Sequence, residues 1–550
     1  MTPERMMYQL IEYPDIPVHY VFIDEAQNIS KRDGRSAYYY QIANMLMQKE
    51  TQPHIIFASP NIPNPDVYLN VAATNTETKS LSSMFTPVSQ EKFLIDMNSG
   101  TYGYYNPLSV QLKTIGIFPE MSLSMIVNQF GAGKRNLVYC NFKSAVVSSA
   151  MKYSKLLKPV NDTELIEFAQ EIREQIHTDY YLAYAVERGV AFHVGYIPPN
   201  IRIRIEELFR KENGGINVIF CTSTLLEGVN MPADNLFITD YRNGYSPLSD
   251  VEFRNLTGHV GRLQYSLYGN VFLICMKDED ISLQSYVELL SPEKVKAIKE
   301  TFASRDNEPD DDINVSLDQI DRLNEAIKNG LRYPQIRQYP GEDEDTYHIE
   351  YSDVLNFLNH MYEIFDWGNY EPKTLGKKNP LTFYAILLLQ WLSGNGMRYI
   401  IAQTIEQYQI KKKRLYFNKT DRPIYNGLVR RINKIIEESF ENFNKIIDFQ
   451  LKNYFKRFSD EIKRQFGVES FSNDWYEFIE YGTRNRYRIQ LQKDGFSFET
   501  ALYLYVNRGL YLAKRNGELK VKISVLNCQK ISVKREADIV FNNMSELFIR

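Results

Sequence analysis

Residues 218–235 read VIFCTSTLLEGVNMPADN. Val218 to Cys221 form an unbroken apolar run, the pattern of a strand buried on both faces. Its tip carries Thr222, Ser223 and Thr224, followed by the Glu227-Gly228 pair. A buried strand ending in hydroxyls, with an acid and a glycine just beyond, opens the question of what the tip holds.

Working outward, similar β-rich runs recur at 18–23, 54–59, 135–141, 190–194, 235–240 and 270–276. Helical patterns at 144–157, 162–177 and 199–213 lie between several of them. Near-continuous apolar strands separated by helices specify an α/β fold with a parallel sheet covered on both faces. Residues 61–130 break this rhythm with Pro, Gly, Ser and Tyr, and read as a linker containing a hairpin. Beyond 350, long amphipathic stretches such as YSDVLNFLNHMYEIF dominate. The order is part of one α/β unit, a complete second α/β unit, then a mostly helical region.

The 550-residue chain is 44% hydrophobic and 24% charged, with a net charge of −4. No global field therefore directs it to nucleic acid or membrane. Charge is uneven locally: residues 301–350 carry about −8 and residues 401–550 about +10. Cys140, Cys221, Cys275 and Cys528 are far apart, without zinc-ligand or redox spacing, which fits a reducing, cytoplasmic setting. The charge-free run from Asn379 to Met397 is broken by Gln390, two Asn and two Gly, so it reads as a core helix and not a membrane span.

A second strand tip lies near the start, in VFIDEAQNIS, 21–30. Adjacent carboxylates at the end of a buried strand are costly to desolvate, so they commonly hold a metal or do chemistry. The competing reading is a helix N-cap acid followed by a helical Glu. In a nucleotide hydrolase, Asp24 holds Mg²⁺ through water and Glu25 orients and deprotonates the attacking water.

Taken in order, TPER at 2–5, DEAQ at 24–27, ASPN at 58–61, LVYCN at 137–141, the run from FHVGYIPPN through GVNMPA at 192–233, and NLTGHVGR at 255–262 resemble the motifs of superfamily 2 DExH-box helicases. The superkiller-type subgroup is the most similar. The resemblance covers roughly residues 1–280 and implies two RecA-like domains closing on ATP and Mg²⁺. It implies a partial first RecA-like domain with linker at 1–115 and a complete second at 116–280. An acidic linker at 281–350 and a helical region at 351–550 follow, where family members place a winged helix and a ratchet bundle.

By the same resemblance Asp24 and Glu25 are catalytic and metal-binding, and Arg262 is an arginine finger neutralising charge on the γ-phosphate. Gln27, Ser59, Glu227, Gly228 and His259 fall at positions that couple ATP state to strand grip. Thr2, Arg5, Asn141, Thr222 and Ser223 match positions that grip the nucleic-acid backbone. Hydroxyls and strand-end amides suit phosphate oxygens and carry no sequence information. Two departures stand out. His259 replaces an expected Arg, and a neutral imidazole is not a permanent cation. Pro60 replaces the usual Thr whose hydroxyl links ATP state to grip.

A phosphate loop needs G-x-x-x-x-G-K-[ST]. Gly133-Lys134 has Asn128 and Arg135 in the outer places, and Gly376-Lys377 has Glu371 and Lys378, so both read as turns. The resemblance puts the loop ahead of TPER. The expectation is a fragment or one half of a split enzyme, with a separate polypeptide as the other possible source of that segment.

Two later stretches join cations to aromatics: KKKRLYF at 411–417, and YGTRNRYRIQLQK at 481–493 with Arg484, Arg486 and Arg488. Cations for phosphates and rings for bases suit a single-strand channel. A solvated charged face over a core of rings is the competing reading. Two functions follow. The first is an ATP-dependent helicase or translocase acting on single-stranded DNA or RNA. The second is a non-hydrolysing nucleic-acid-binding scaffold derived from one.

Overall fold

The computed structural model describes residues 3–24, 26, 29, 36–49, 51–58, 79, 81, 89–106, 111–211, 214–223, 231–261, 268–277, 283–290, 317–342, 346–365, 380–412, 422–466, 475–506, 510–515, 518–523, 533–537 and 540. The side chains of Arg5 and of residues 408–426 fall outside this description. The chain forms two compact units. One comprises 1–162, 188–195 and 203–314, and the other 163–187, 196–202 and 315–550.

In the first unit, β1 (Tyr20–Ile23) and β2 (His54–Phe57) pair in parallel. Alternation along β1 turns Val21 into a cluster with Leu10, Ile42 and Leu46, from helices Pro3–Glu12 and Ser36–Met47. The opposite face is open, with Tyr20 63% and Phe22 72% exposed.

The main sheet of this unit has eight strands: β3 (Ser89–Asp96), β4 (Thr101–Asn106), β5 (Gln111–Ile117), β6 (Asn136–Tyr139), β7 (Val190–His193), β8 (Val218–Cys221), β9 (Asn235–Ile238) and, after a short hairpin of β10 (Arg242–Asn243) and β11 (Ser246–Pro247), β12 (Tyr268–Cys275). Their order is β5-β4-β3-β12-β9-β6-β8-β7. From β3 to β7 all neighbours are parallel, while β4 and β5 form an antiparallel edge. The fold is α/β with a helical C-terminal region. Every residue of β6, β7, β8 and β9 is buried, as their apolar runs require.

The stretch expected as a linker thus contains three strands of the main sheet, and β3 pairs with β12 along its whole length. The physical reason lies in the strands themselves. TYGYYN and QLKTIGI form an antiparallel edge, which requires only one buried face, and SQEKFLID beside them is polar over its first half, so all three lack the unbroken apolar signature of the centre.

The starts of three central strands are tied by a row of amides. Asn136 Nδ2 donates to the carbonyls of Gly131 (2.9 Å) and Lys134 (2.7 Å). Asn235 Nδ2 donates to Asn136 Oδ1 at 2.9 Å, and Asn270 Nδ2 donates to Asn235 Oδ1 at 2.9 Å. Asn136 and Asn235 are each 1% exposed, so each amide satisfies the next where water does not reach. Asp234 adds a bond from the Arg135 amide at 2.8 Å.

Between β6 and β7 the chain leaves the sheet unit. Helices Thr163–Gln175 and Tyr181–Val186 belong to the helical unit. There buried Asn433 accepts from the Tyr181 amide at 2.7 Å and donates to the Asp179 carbonyl at 2.8 Å. Arg535 pairs with Glu171. The charge-free run forms helix Pro380–Leu392, whose Trp391 donates its indole N–H to the Ile479 carbonyl at 2.7 Å. Among the described residues no helix is long and apolar enough to cross a membrane.

The helical unit also buries carboxyls. Burial, reinforced by Glu441 and Glu438, pushes the Glu437 carboxyl up to about 7. Burial lifts Glu499 to about 7 and Asp448 to about 6.

Two outcomes follow from this packing. Asn235→Leu orphans Asn136 Oδ1 and Asn270 Nδ2, at about 1–3 kcal/mol per group. Chemical denaturation is expected to show that loss, and an unchanged or raised midpoint would contradict the ladder's role. Separately, the three carboxyls hold protons in the folded state that the unfolded chain releases near pH 4. Their stabilising contribution is full below that pH and is lost as pH rises through about 6 to 7. Protection factors in the 422–442 helix, with the intrinsic base-catalysed exchange rate divided out, are expected to fall from mildly acidic to mildly alkaline pH, and less so in Glu437→Gln. Protection that holds or rises at the higher pH would sink this assignment.

Candidate nucleic-acid interface

The carboxyl ends of parallel strands are where open α/β sheets place ligands. At the end of β6 stand Cys140 and Asn141, at the end of β8 Thr222 and Ser223, and at the end of β9 Thr239 and Asp240. Thr222 is buried at 5% exposure and Ser223 half-buried.

Asp240, 6% exposed, organises this edge. It accepts from Arg242 Nε and Nη2, both at 2.9 Å, from the Arg242 amide at 3.0 Å, and from Asn141 Nδ2 at 3.2 Å. Two parallel guanidinium bonds fix direction as well as energy. Asn141 also donates to the Gly244 carbonyl at 2.8 Å and accepts from the Gly244 amide at 2.6 Å. Tyr139 donates its hydroxyl to the Arg242 carbonyl at 2.8 Å.

These bonds hold the β10–β11 hairpin against the sheet edge. Gly244, with φ of 65°, takes the first loop position, where a type II′ hairpin turn uses glycine. The second loop residue, Tyr245, is 95% exposed. Its ring meets Phe142, 43% exposed, edge-on at 6.0 Å. Behind the hairpin, Ser249 and Glu252 form a capping box that starts helix Asp250–Thr257.

That helix returns to the opposite end of the strands. There the Ala233 amide donates to the His259 carbonyl at 3.2 Å, and the Gly261 amide donates to the Ala233 carbonyl at 3.3 Å. Gln90 of β3 donates to the carbonyls of Thr257 (2.9 Å) and Val260 (3.1 Å). Gly269 lies so close that a Cβ there would stand 2.1 Å from Val260 Cγ1. His259 is 5% exposed. An arginine at that depth would need an anion beside it, which gives the His a physical reason for its place.

Of the residues singled out in the sequence, Asp24 sits exposed in the turn after β1, where the Ala58 amide donates to the Ile23 carbonyl and joins the two strand ends at 2.9 Å. Thr2, Glu25, Gln27, Ser59, Pro60, Glu227, Gly228 and Arg262, and the side chain of Arg5, lie outside the described residues, as does most of KKKRLYF. Among the described residues no three His, Cys, Asp or Glu come together to hold a metal.

Two expectations change. Asn141 does not face a strand with a free amide, because both ends of that amide hold Asp240 and Gly244. The arginines of 484–488 do not line one channel either. Arg484 and Arg486 are exposed, but Arg488 is 4% exposed, donates to the Gly394 carbonyl at 3.0 Å and stacks over Phe498 at 4.9 Å. Helix spacing explains the difference. Asn485 caps helix Arg486–Lys493, and the third position after the cap turns inward.

Sequence reasoning missed Asp240, Arg242, Phe142, Tyr245 and Gln90. The Asn243-Gly244 dipeptide is a hairpin signal and could have revealed the loop. Gln90 gave no signal inside a supposed linker.

No protein-family model matches the chain. It is 29% identical over 182 residues to the ATP-dependent DNA helicase Hel308 of Methanocella arvoryzae, covering 31% of this chain and 24% of that protein. It is 26% identical over 292 residues to that of Caldivirga maquilingensis, covering 50% of this chain and 37% of that protein. Hel308 of Pyrococcus horikoshii is 24% identical over 285 residues, again 50% and 37%. The chain therefore spans about a third of the length of these relatives. Among solved structures, yeast Dbp5 bound to RNA and ADP BeF3 aligns over 55% of this chain and 62% of that chain at 13% identity, with a TM-score of 0.33 too low to carry an argument.

The placement of Arg488 gives a direct test. Arg488→Ala removes a charged donor bond and a cation–ring contact, together about 2–4 kcal/mol, whereas Arg484→Ala is expected to leave stability unchanged. Denaturation midpoints compare the two, and equal losses would contradict the division.

Proposed function

We propose that this chain, which belongs with the superfamily 2 helicases, grips a single nucleic-acid strand along the carboxyl edge of its main sheet as part of an ATP-driven translocase. The observation that carries this reading is the arrangement at that edge of the Thr222–Ser223 tip, Phe142 after β6, and Tyr245 on a hairpin clamped by Asp240, the two rings in contact. Hydroxyls and strand-end amides meet phosphates, and exposed rings stack on bases whatever their identity. Asn141 and Arg242 act as positioning residues, since their polar groups are spent on the hairpin. Arg486, exposed on the helical unit, is by itself a cation that a nucleic-acid backbone attracts.

ATP with Mg²⁺ would supply the energy that drives closure of the two RecA-like domains. In this reading Asp24 and Glu25 face the metal, and Arg262 meets the γ-phosphate. Gln27, Ser59, Glu227, Gly228 and His259 link nucleotide state to grip, and Thr2 and Arg5 extend the strand path. The turn held by Gln90 and Gly269 ends at Gly261, one position before Arg262 in the sequence. The 550 residues contain no G-x-x-x-x-G-K-[ST], so the reading couples strand binding in this chain to a phosphate loop carried on another segment or polypeptide. A non-hydrolysing scaffold is the second reading, favoured by that lack and by Pro60 and His259.

The test is fluorescence anisotropy with a single-stranded oligonucleotide, alongside ATP turnover. We expect binding that weakens steeply with salt and depends little on sequence. Tyr245→Ala should cost about 1–3 kcal/mol of affinity through lost stacking. Turnover should not exceed that of Glu25→Gln. Absent binding, or no effect of Tyr245→Ala, would overturn the strand path. Nucleic-acid-stimulated turnover above the Glu25→Gln control would overturn the need for an added phosphate loop.

A further inference from the structure

The helical unit holds a cleft of about 330 Å³ far in sequence from the motifs above, lined in part by Arg332, Tyr333, Gln335, Ile462, Trp475 and Arg484. That is within the size of small-ligand sites. Its floor is rigid. Tyr333 stacks on Trp475 at 6.1 Å and on Phe455 at 5.7 Å, and donates its hydroxyl to the Phe455 carbonyl at 3.1 Å. Trp475 and Ile462 are each 2% exposed, so only their edges reach the cleft, while Tyr333 is half-buried.

Its rim is cationic. Arg332 is held by Nη1 bonds to the carbonyls of Ile327 and Leu331, both at 2.8 Å, which cap the helix Leu317–Lys328. Arg484 is exposed and makes no hydrogen bond or ion pair among the described residues. Its backbone is fixed all the same, because buried Thr483 accepts from the Asn485 amide at 3.1 Å and Asn485 caps the next helix. Among the described residues that line the cleft there is no carboxylate. A neighbouring cleft of about 440 Å³ shows the contrast: its Arg322 is paired with Asp318, and Glu325 lines it.

We propose that this cleft binds one phosphate-bearing nucleotide unit, with the phosphate on Arg484 and Arg332 and the planar base against Tyr333. Two guanidiniums on one rim favour an anion, and a preformed aromatic floor beside them favours a flat ring. The sources of that chemistry are a nucleic-acid strand and a free mononucleotide. The first rests on the proposed function, and the second does not.

The experiment titrates the full chain with oligothymidylate, followed by anisotropy, and with thymidine monophosphate, followed by calorimetry. Arg484→Ala should weaken oligonucleotide binding about tenfold and lower the salt slope by about 0.7. Gln335→Glu, which places a carboxylate in the cleft at an exposed position, should weaken it too. Arg484→Lys should recover the salt slope but not the full affinity, and Arg486→Ala, outside the cleft, should give a smaller loss. If only monophosphate binding depends on Arg484, the site stands with a free nucleotide as its occupant. If neither ligand distinguishes Arg484→Ala from Arg486→Ala, the site is overturned. Sensitivity to Arg484→Ala with indifference to Tyr245→Ala would sink the sheet-edge path and leave this cleft standing, and the reverse pattern would do the opposite.

Discussion

The main sheet depends on a row of three side-chain amides. Asn136 and Asn235 start two adjacent parallel strands and Asn270 stands near the start of the third, with the amides of the first two buried and each bonded to its neighbour. Parallel strands have no tight turn to set their register, so a fixed polar row at their starts supplies what a hairpin gives an antiparallel pair. Once the starts are aligned, the opposite ends arrive together. That is why Asn141, Thr222 and Asp240, far apart in sequence, converge on one edge.

At that edge the chemistry divides between groups that hold and groups that are free to meet a ligand. Asp240, Arg242 and Asn141 bond one another and the hairpin, so a 95% exposed tyrosine stands on a fixed support. Preorganised support of this kind lowers the ordering cost when a strand arrives. At the other end of the strands, Gln90, Ala233 and Gly269 set the turn that precedes Arg262. One sheet thereby has two differently built edges, one bearing exposed rings beside a clamped hairpin and one closely packed around Gly269.

The α/β class, the four fully buried central strands and the helical second half could be read from apolar runs and their spacing, because burial on both faces leaves a continuous signature. Strands β3–β5 could not, since they lack the unbroken apolar run of the centre and sit among prolines, glycines and tyrosines. The same blind spot hid Gln90. Nor does composition reveal that 163–187 joins the helical unit, because Asn433, which ties that segment down, lies far along the chain. Arg484, Arg486 and Arg488 look alike as a charged stretch. Only the cap at Asn485 decides that the last of them turns inward to Gly394. Motif order pointed to the strand-tip residues, but it could not say that the Asn141 amide is spent on Asp240 and the hairpin.

Photocross-linking tests the central claim most directly. A single-stranded oligonucleotide carrying 5-iodouracil, bound to the chain and irradiated, forms adducts with stacked aromatic rings. The account places those adducts at Tyr245 and Phe142 on the carboxyl edge of the sheet. Adducts found elsewhere, with none at either ring while the oligonucleotide is bound, would contradict it.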